Sequence, residues 1–77
     1  GDTPPREQVL RERLRQRCPS LTPREHEVVF HLAQGRTYDG VAATTGVTLS
    51  TVKTYRERAF RKLGIHFRSQ LFQLLQD

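Results

Sequence analysis

The chain has 77 residues, 13 Lys and Arg against 8 Asp and Glu, a net charge of +5 and 35% apolar residues. That supports one small core of three or four helices, and the single Cys18 forbids an internal disulfide. No apolar run nears the roughly 18 residues of a membrane span, and the polar N-terminus lacks the apolar stretch of a signal peptide, so a reducing, cytoplasmic setting is expected.

His26, His31 and His66 do not combine with Cys18 at a metal-ligand spacing. Neither a metal nor a cofactor is expected, and each histidine is assigned to the surface or a boundary. From the Gly-Asp start an excised domain is expected, with room for a sensory module upstream.

Residues 1–5, GDTPP, are expected to be extended or disordered. Thr3 can cap, and Pro4 or Pro5 can open, a helix running to about Arg17. Its apolar stripe is narrow: Leu10 and Leu14 four apart, Val9 beside them, Cys18 one turn on, with Arg6, Arg11, Arg13, Arg15 and Arg17 around it. Three readings stay open: docking on the domain, a linker to a lost neighbour, or arginines on DNA phosphate. Residues 1–19 are therefore set apart as an N-terminal extension from a domain over 20–77.

Pro19 breaks the first helix, and LTPRE starts the next. Thr22 as N-cap, Pro23 at the first helical position and Glu25 at the third form a capping box, with Leu21 packing back as a staple. Val28, Val29, Leu32 and Ala33 share a buried face, Gly35 stops the helix, and Phe30 falls at the edge. Thr37 can cap a short helix over Tyr38 to Thr45, with Val41 and Ala42 inward. Gly46 turns the chain, Val47 plugs the turn, and Thr48 caps the helix that follows.

That helix, LSTVKTYRERAFRKL over 49–63, dominates the charge distribution. Lys53, Arg56, Arg58, Arg61 and Lys62 against Glu57 give it +4 of the chain's +5. At about 100° per residue, Val52, Ala59, Phe60 and Leu63 share one face, while Ser50, Lys53, Thr54, Glu57, Arg58 and Arg61 share the opposite one. A charged helix face is ordinarily just solvated. Here the charge has one sign, which self-repels unless an anion is met, and nucleic acid is the favoured partner. Gly64 ends the helix. A last helix spans Arg68 to Gln76, with Ser69 as an alternative cap. Leu71, Phe72, Leu74 and Leu75 are too many apolar residues for one side of it, so a subset is expected to face a partner subunit.

A short helix, a glycine turn and a second helix match a helix-turn-helix in spacing. LTPREHEVVFHLAQG, VAATTGVTLSTVKTYRERAFRKLGI and FRSQL, in that order, resemble the LuxR-type (GerE or FixJ-type) DNA-binding domain of bacterial regulators. The resemblance covers about residues 20–75. It implies an all-α domain: a tri-helical core plus a C-terminal helix, here with an additional N-terminal helix. It also implies a third helix in the major groove of double-stranded DNA at a promoter or operator, and homodimers on two-fold half-sites, often formed through the fourth helix. Phe72 and Leu75 are then the dimerisation residues. RNA polymerase is a further candidate partner.

Carried over by position, Lys53, Thr54, Glu57 and Arg58 are the base-contacting residues. Thr51, Ser50, Arg56, Arg61 and Lys62 are assigned to phosphate, with the helix N-terminal amides assisting beside Thr51 and Arg56 and Lys62 snorkelling from the flanks. A lysine or arginine can read guanine, and a glutamate can accept from cytosine. Glu57 is thus either a specificity element or a partner of Arg61 one turn on. Three positions depart from the family pattern. Gly40 replaces a helix-favouring glutamate at about 1 kcal/mol of propensity, Thr45 replaces a core leucine and predicts a cavity or a buried hydroxyl, and Leu49 replaces a frequent proline.

Two other classes compete. TYDGVA and RERA resemble region four of a bacterial sigma factor, which would read a promoter element only alongside polymerase. A degenerate helix-turn-helix used for protein contact would suit Gly40, Thr45 and the apolar last helix, yet needs no basic face. An enzyme is disfavoured: no carboxylate pair, Ser/His/Asp set or phosphate-cradling loop is present.

Overall fold

The computed structural model describes residues 6–76, and every regular element among them is a helix: α1 (Arg6–Arg17), α2 (Pro23–Ala33), α3 (Tyr38–Thr45), α4 (Leu49–Leu63) and α5 (Arg68–Leu74). The Thr3 cap and the Pro4 or Pro5 start lie outside the described residues.

Local chemistry sets the helix boundaries where it was expected to. Thr22 Oγ1 accepts from the Glu25 amide at 3.2 Å while Glu25 Oε1 accepts from the Thr22 amide at 2.9 Å, completing the capping box of α2. Thr37 Oγ1 accepts from Gly40 N at 3.0 Å and Thr48 Oγ1 from Thr51 N at 3.2 Å, so α3 and α4 are capped alike. Gly46 and Gly64 close α3 and α4 at φ 75° and 73°, a left-handed conformation that only glycine adopts without strain. Gly40 is an ordinary helical residue, and a Cβ there would meet Thr37 Oγ1 at 3.2 Å.

The architecture is organised around α2, which packs against each of the other four helices. Seven residues of its 11 are therefore buried, Glu25, His26 and His31 among them. The core joins Val28, Val29, Phe30 and Leu32 of α2 to Val41, Val52, Ala59, Phe60, Ile65 and Leu71, and Leu14 reaches it from α1. α1 thus docks on the domain and shares its core.

Long-range packing corrects several expectations. Phe30, assigned to an edge, is 2% exposed because α1 covers it, with the Arg11 guanidinium 3.7 Å from its ring centroid. His26 and His31 are interior, each 8% exposed, because α2 is surrounded; only His66 is exposed. α5 stops at Leu74, and its N-cap is Phe67 rather than Ser69. Gln70 Oε1 does the capping, accepting from the amides of His66 at 2.7 Å and Phe67 at 2.8 Å. Leu75, grouped with Phe72 from sequence, is 5% exposed and joins the core, whereas Phe72 is 39% exposed.

Thr45 is half-buried: its hydroxyl donates to the Val41 carbonyl at 2.7 Å, and the residue lines a half-open groove together with Arg24, Glu27, Val28 and Tyr55.

Candidate nucleic-acid interface

α3 and α4 pack against each other and against α2 as a tri-helical unit, joined by the Gly46–Val47–Thr48 turn. α4 buries Val52, Ala59 and Phe60, and half-buries Tyr55 and Leu63 against the same core. That packing fixes which residues turn outward. Ser50, Lys53, Thr54, Glu57, Arg58 and Arg61 are all exposed and recur at helical spacing along the opposite side.

Hydrogen bonding sorts these side chains. Thr54 Oγ1 donates to the Ser50 carbonyl at 3.1 Å, and the Thr48 and Thr51 hydroxyls are 2.8 Å apart, so the helix start is locally ordered. Among the described residues, Lys53, Glu57, Arg58 and Arg61 make no hydrogen bond or ion pair. Glu57 is not paired with Arg61.

Arg11, Arg13 and Arg15 of α1 behave differently. Arg11 meets Glu27 with both guanidinium nitrogens, at 2.6 and 3.3 Å. Arg15 lies 3.4 Å from Glu12, and Arg13 donates to the Leu75 carbonyl at 3.2 Å. The carboxylates Glu12, Glu25 and Glu27 each hold a cation, whereas Lys53, Arg58 and Arg61 on the outward face of α4 meet none, with Glu57 the one acidic residue among them. A concentrated field of one sign on a rigid helix attracts polyanions.

Two residues expected on phosphate are engaged within the domain. The Lys62 ammonium lies 2.6 Å from Glu25 Oε1 and donates to the Ser20 carbonyl at 3.1 Å. Burial pushes the Glu25 carboxyl up, but the Lys62 hydrogen bond, the Thr22 amide and the Lys62 charge outweigh it and hold its pKa below 4.5. Arg56 lies 4.6 Å over the Phe60 ring centroid, donates to the His66 carbonyl at 3.4 Å, and has its Nε buried without a partner. Arg68 and Arg56 both approach the Tyr38 ring, at 5.4 and 5.8 Å from its centroid, linking α3, α4 and α5. The Tyr38 contacts were not anticipated, since nothing local in the sequence marks the pairing of residues so far apart.

Among the described residues, no three His, Cys, Asp or Glu side chains gather to hold a metal ion, and no helix is long and apolar enough to cross a membrane.

Comparison with known proteins agrees with this geometry. Residues 19–75 match the family described as bacterial regulatory proteins, luxR family. The transcriptional regulatory protein MctR of Rhizobium johnstonii is 32% identical over 69 residues, covering 90% of this chain and 32% of MctR. The probable transcriptional regulatory protein NarL of Mycobacterium tuberculosis is 38% identical over 60 residues, 78% of this chain and 28% of NarL. The transcriptional activator protein EsaR of Pantoea stewartii is 39% identical over 54 residues, 70% of this chain and 22% of EsaR. This chain thus spans between 22% and 32% of these relatives' lengths. No solved structure matched. With its helix-turn-helix over α3 and α4, and a family match that runs from the residue after Cys18 to Leu75, the chain belongs to the luxR family of bacterial regulatory proteins.

Proposed function

We propose that the chain is the sequence-specific, duplex-DNA-binding domain of a bacterial transcriptional regulator, with α4 in the major groove. The observation that carries this is the row of exposed, unpartnered charges on α4, Lys53, Arg58 and Arg61 among them, on the side opposite its buried face. Lys53, Thr54, Glu57 and Arg58 are its base readers. Ser50, Thr51 and Arg61 take phosphate, and they position the helix without reading sequence. Glu57, lacking an Arg61 partner, acts as a specificity element that accepts from cytosine and repels misplaced phosphate. Lys62 and Arg56 hold α4 in place and leave the phosphate set. The domain acts in the cytoplasm as part of a longer regulator, with RNA polymerase a partner of that whole protein.

Homodimers on two-fold half-sites are part of this reading, supported by the family to which the chain belongs. The outward side of α5 supports such an interface through Phe72, 39% exposed. The protein-contact reading loses ground because such a module gains nothing from uncompensated Lys53, Arg58 and Arg61.

Selection from a random duplex pool at near-physiological salt tests the proposal. A two-fold symmetric enriched site is the expected result, its spacing giving the dimer geometry. A single asymmetric element would instead favour a monomer or the sigma-like reading. No enrichment, with weak binding only at low salt, would refute sequence-specific recognition.

A further inference from the structure

We propose that Arg68 of α5, held on the Tyr38 ring together with Arg56, grips a backbone phosphate of the duplex on the flank of α4. The inference rests on the reading of α4 as the helix in the major groove, and it gives α5 a role in DNA binding distinct from the interface assigned to Phe72.

Tyr38 opens α3, and two guanidinium groups approach its half-buried ring, Arg68 at 5.4 Å and Arg56 at 5.8 Å from the centroid. Both lie within the range of cation–π attraction, which holds a cation without using any of its N–H donors. Arg56 is engaged elsewhere as well, over the Phe60 ring at 4.6 Å and on the His66 carbonyl at 3.4 Å. Arg68 is not. Among the described residues it makes no hydrogen bond or ion pair, and neither does the Tyr38 hydroxyl. Asp39 and Glu57 neighbour Tyr38 and Arg56 in sequence, yet both are exposed and neither pairs with either guanidinium. Two cations drawn to one ring repel each other, and an anion bound beside them relieves that repulsion.

Placement makes that anion a DNA phosphate. In a helix-turn-helix the first helix crosses the DNA backbone while the second lies in the groove. Here α3 is the first helix, and Tyr38 is its first residue. Arg56 stands one turn from Lys53 along α4, so the cluster adjoins the row assigned to base reading. A helix about 10–12 Å across fills a major groove about 12 Å wide, which brings the phosphate ridges to its flanks. An arginine presents a rigid fork of donors that matches two phosphate oxygens. Tyr38 is then the positioning residue, and Arg68 the group that meets phosphate.

The test titrates a short mixed-sequence duplex at low salt into the 77-residue chain and follows the Nε–Hε NMR signal of Arg68, which should shift saturably. Arg68→Gln should lower the slope of log affinity against log salt by about 1, for all sequences alike. Arg68→Lys, which keeps the charge, should restore the slope. A purely structural role would move the unfolding midpoint and leave the slope where it was. If Arg68→Gln fails to fold, the Arg68 signal in the parent chain decides alone. A signal unmoved at saturation, or an unchanged slope in folded Arg68→Gln, overturns the phosphate contact while leaving α4 in the groove. A parent chain that binds no duplex at low salt overturns the groove reading and this inference with it.

Discussion

Lys62 and Glu25 are joined at 2.6 Å across 37 positions of sequence, tying the last turn of α4 to the capping box of α2. The same carboxylate oxygen accepts from the Thr22 amide at 2.9 Å, so one atom fixes the entry of α2 and the exit of α4. Glu25 is 3% exposed, and losing its cation would leave a buried charge half-satisfied. Lys62→Met should destabilise the domain by about 2 kcal/mol, a charge-assisted hydrogen bond moderated by the partly solvated lysine end. Denaturant midpoints check this. DNA binding supplies the second readout: the slope of affinity against salt should stay unchanged, whereas loss of a phosphate contact lowers it by about 1. A reduced slope would return Lys62 to the phosphate set.

The outward face of α4 gives the sharpest contrast between variants. Lys53→Ala and Arg58→Ala should each weaken binding to a selected site by about 1–3 kcal/mol and relax sequence preference. Arg61→Ala should weaken all sequences alike and reduce the salt slope by about 1. None of the three side chains holds the fold together, so melting curves should overlay the parent. Unchanged affinity in both Lys53→Ala and Arg58→Ala would sink the groove-facing assignment.

Phe72 in α5 and Leu75 at its C-cap, grouped together from sequence, should respond differently. Phe72→Glu places a charge on an exposed position and should shift sedimentation toward monomer with little change in stability. Leu75→Ala should instead lower stability by about 2 kcal/mol or more through its cavity, since Leu75 is 5% exposed. A parent chain that is monomeric on its DNA site removes the Phe72 interface.

What was legible in the sequence follows the range of the physics. Thr22, Thr37 and Thr48 as caps, and Gly46 and Gly64 as stops, act within a turn of chain, and the bounds of α3 and α4 were read from them. The outward face of α4 was legible for the same reason, because periodicity fixes which residues share a side. Periodicity cannot say what covers a side. Phe30 falls off the main apolar face of α2 and reads as an edge residue until α1 folds over it. Lys62 reads as a flanking cation until Glu25 arrives from another helix. His26 and His31 read as boundary residues, since nothing near them announces that α2 is enclosed by four helices.

Those two histidines predict a pH dependence. Burial lowers the pKa of His26, aided by Arg15 and Arg11, and burial with Arg36 lowers that of His31, both from 6.5. A folded pKa below the unfolded one means that the unfolded chain binds protons the folded chain refuses. Stability should therefore hold above about pH 7 and fall as pH drops through the unfolded value toward the folded one. Glu25 and Glu27 act lower: their folded pKa values lie below 4.5, so their contribution is lost as pH falls through that depressed range. Unfolding midpoints near pH 7.5 and 5.5 test the histidine part, and His26→Gln with His31→Gln should flatten the difference. A midpoint that rises on acidification would contradict it.

α1 precedes the family match at residues 19–75, yet its contacts are those of a structural element. Leu14 is 0% exposed, and Arg11 stacks on Phe30 while bridging to Glu27. Leu14→Ala should cost about 3 kcal/mol, a large share of the stability of so small a domain. The Arg11–Glu27 pair is partly solvated, its side chains 29% and 40% exposed, so screening limits its worth. A double-mutant cycle of Arg11→Ala with Glu27→Gln should give a coupling of about 1 kcal/mol, to which the Phe30 contact, lost in Arg11→Ala alone, does not contribute. A linker helix makes the opposite prediction. If α1 only tethers the domain to a neighbour, Leu14→Ala and the cycle should both be neutral, and residues 20–77 should unfold at the same denaturant concentration as the full chain.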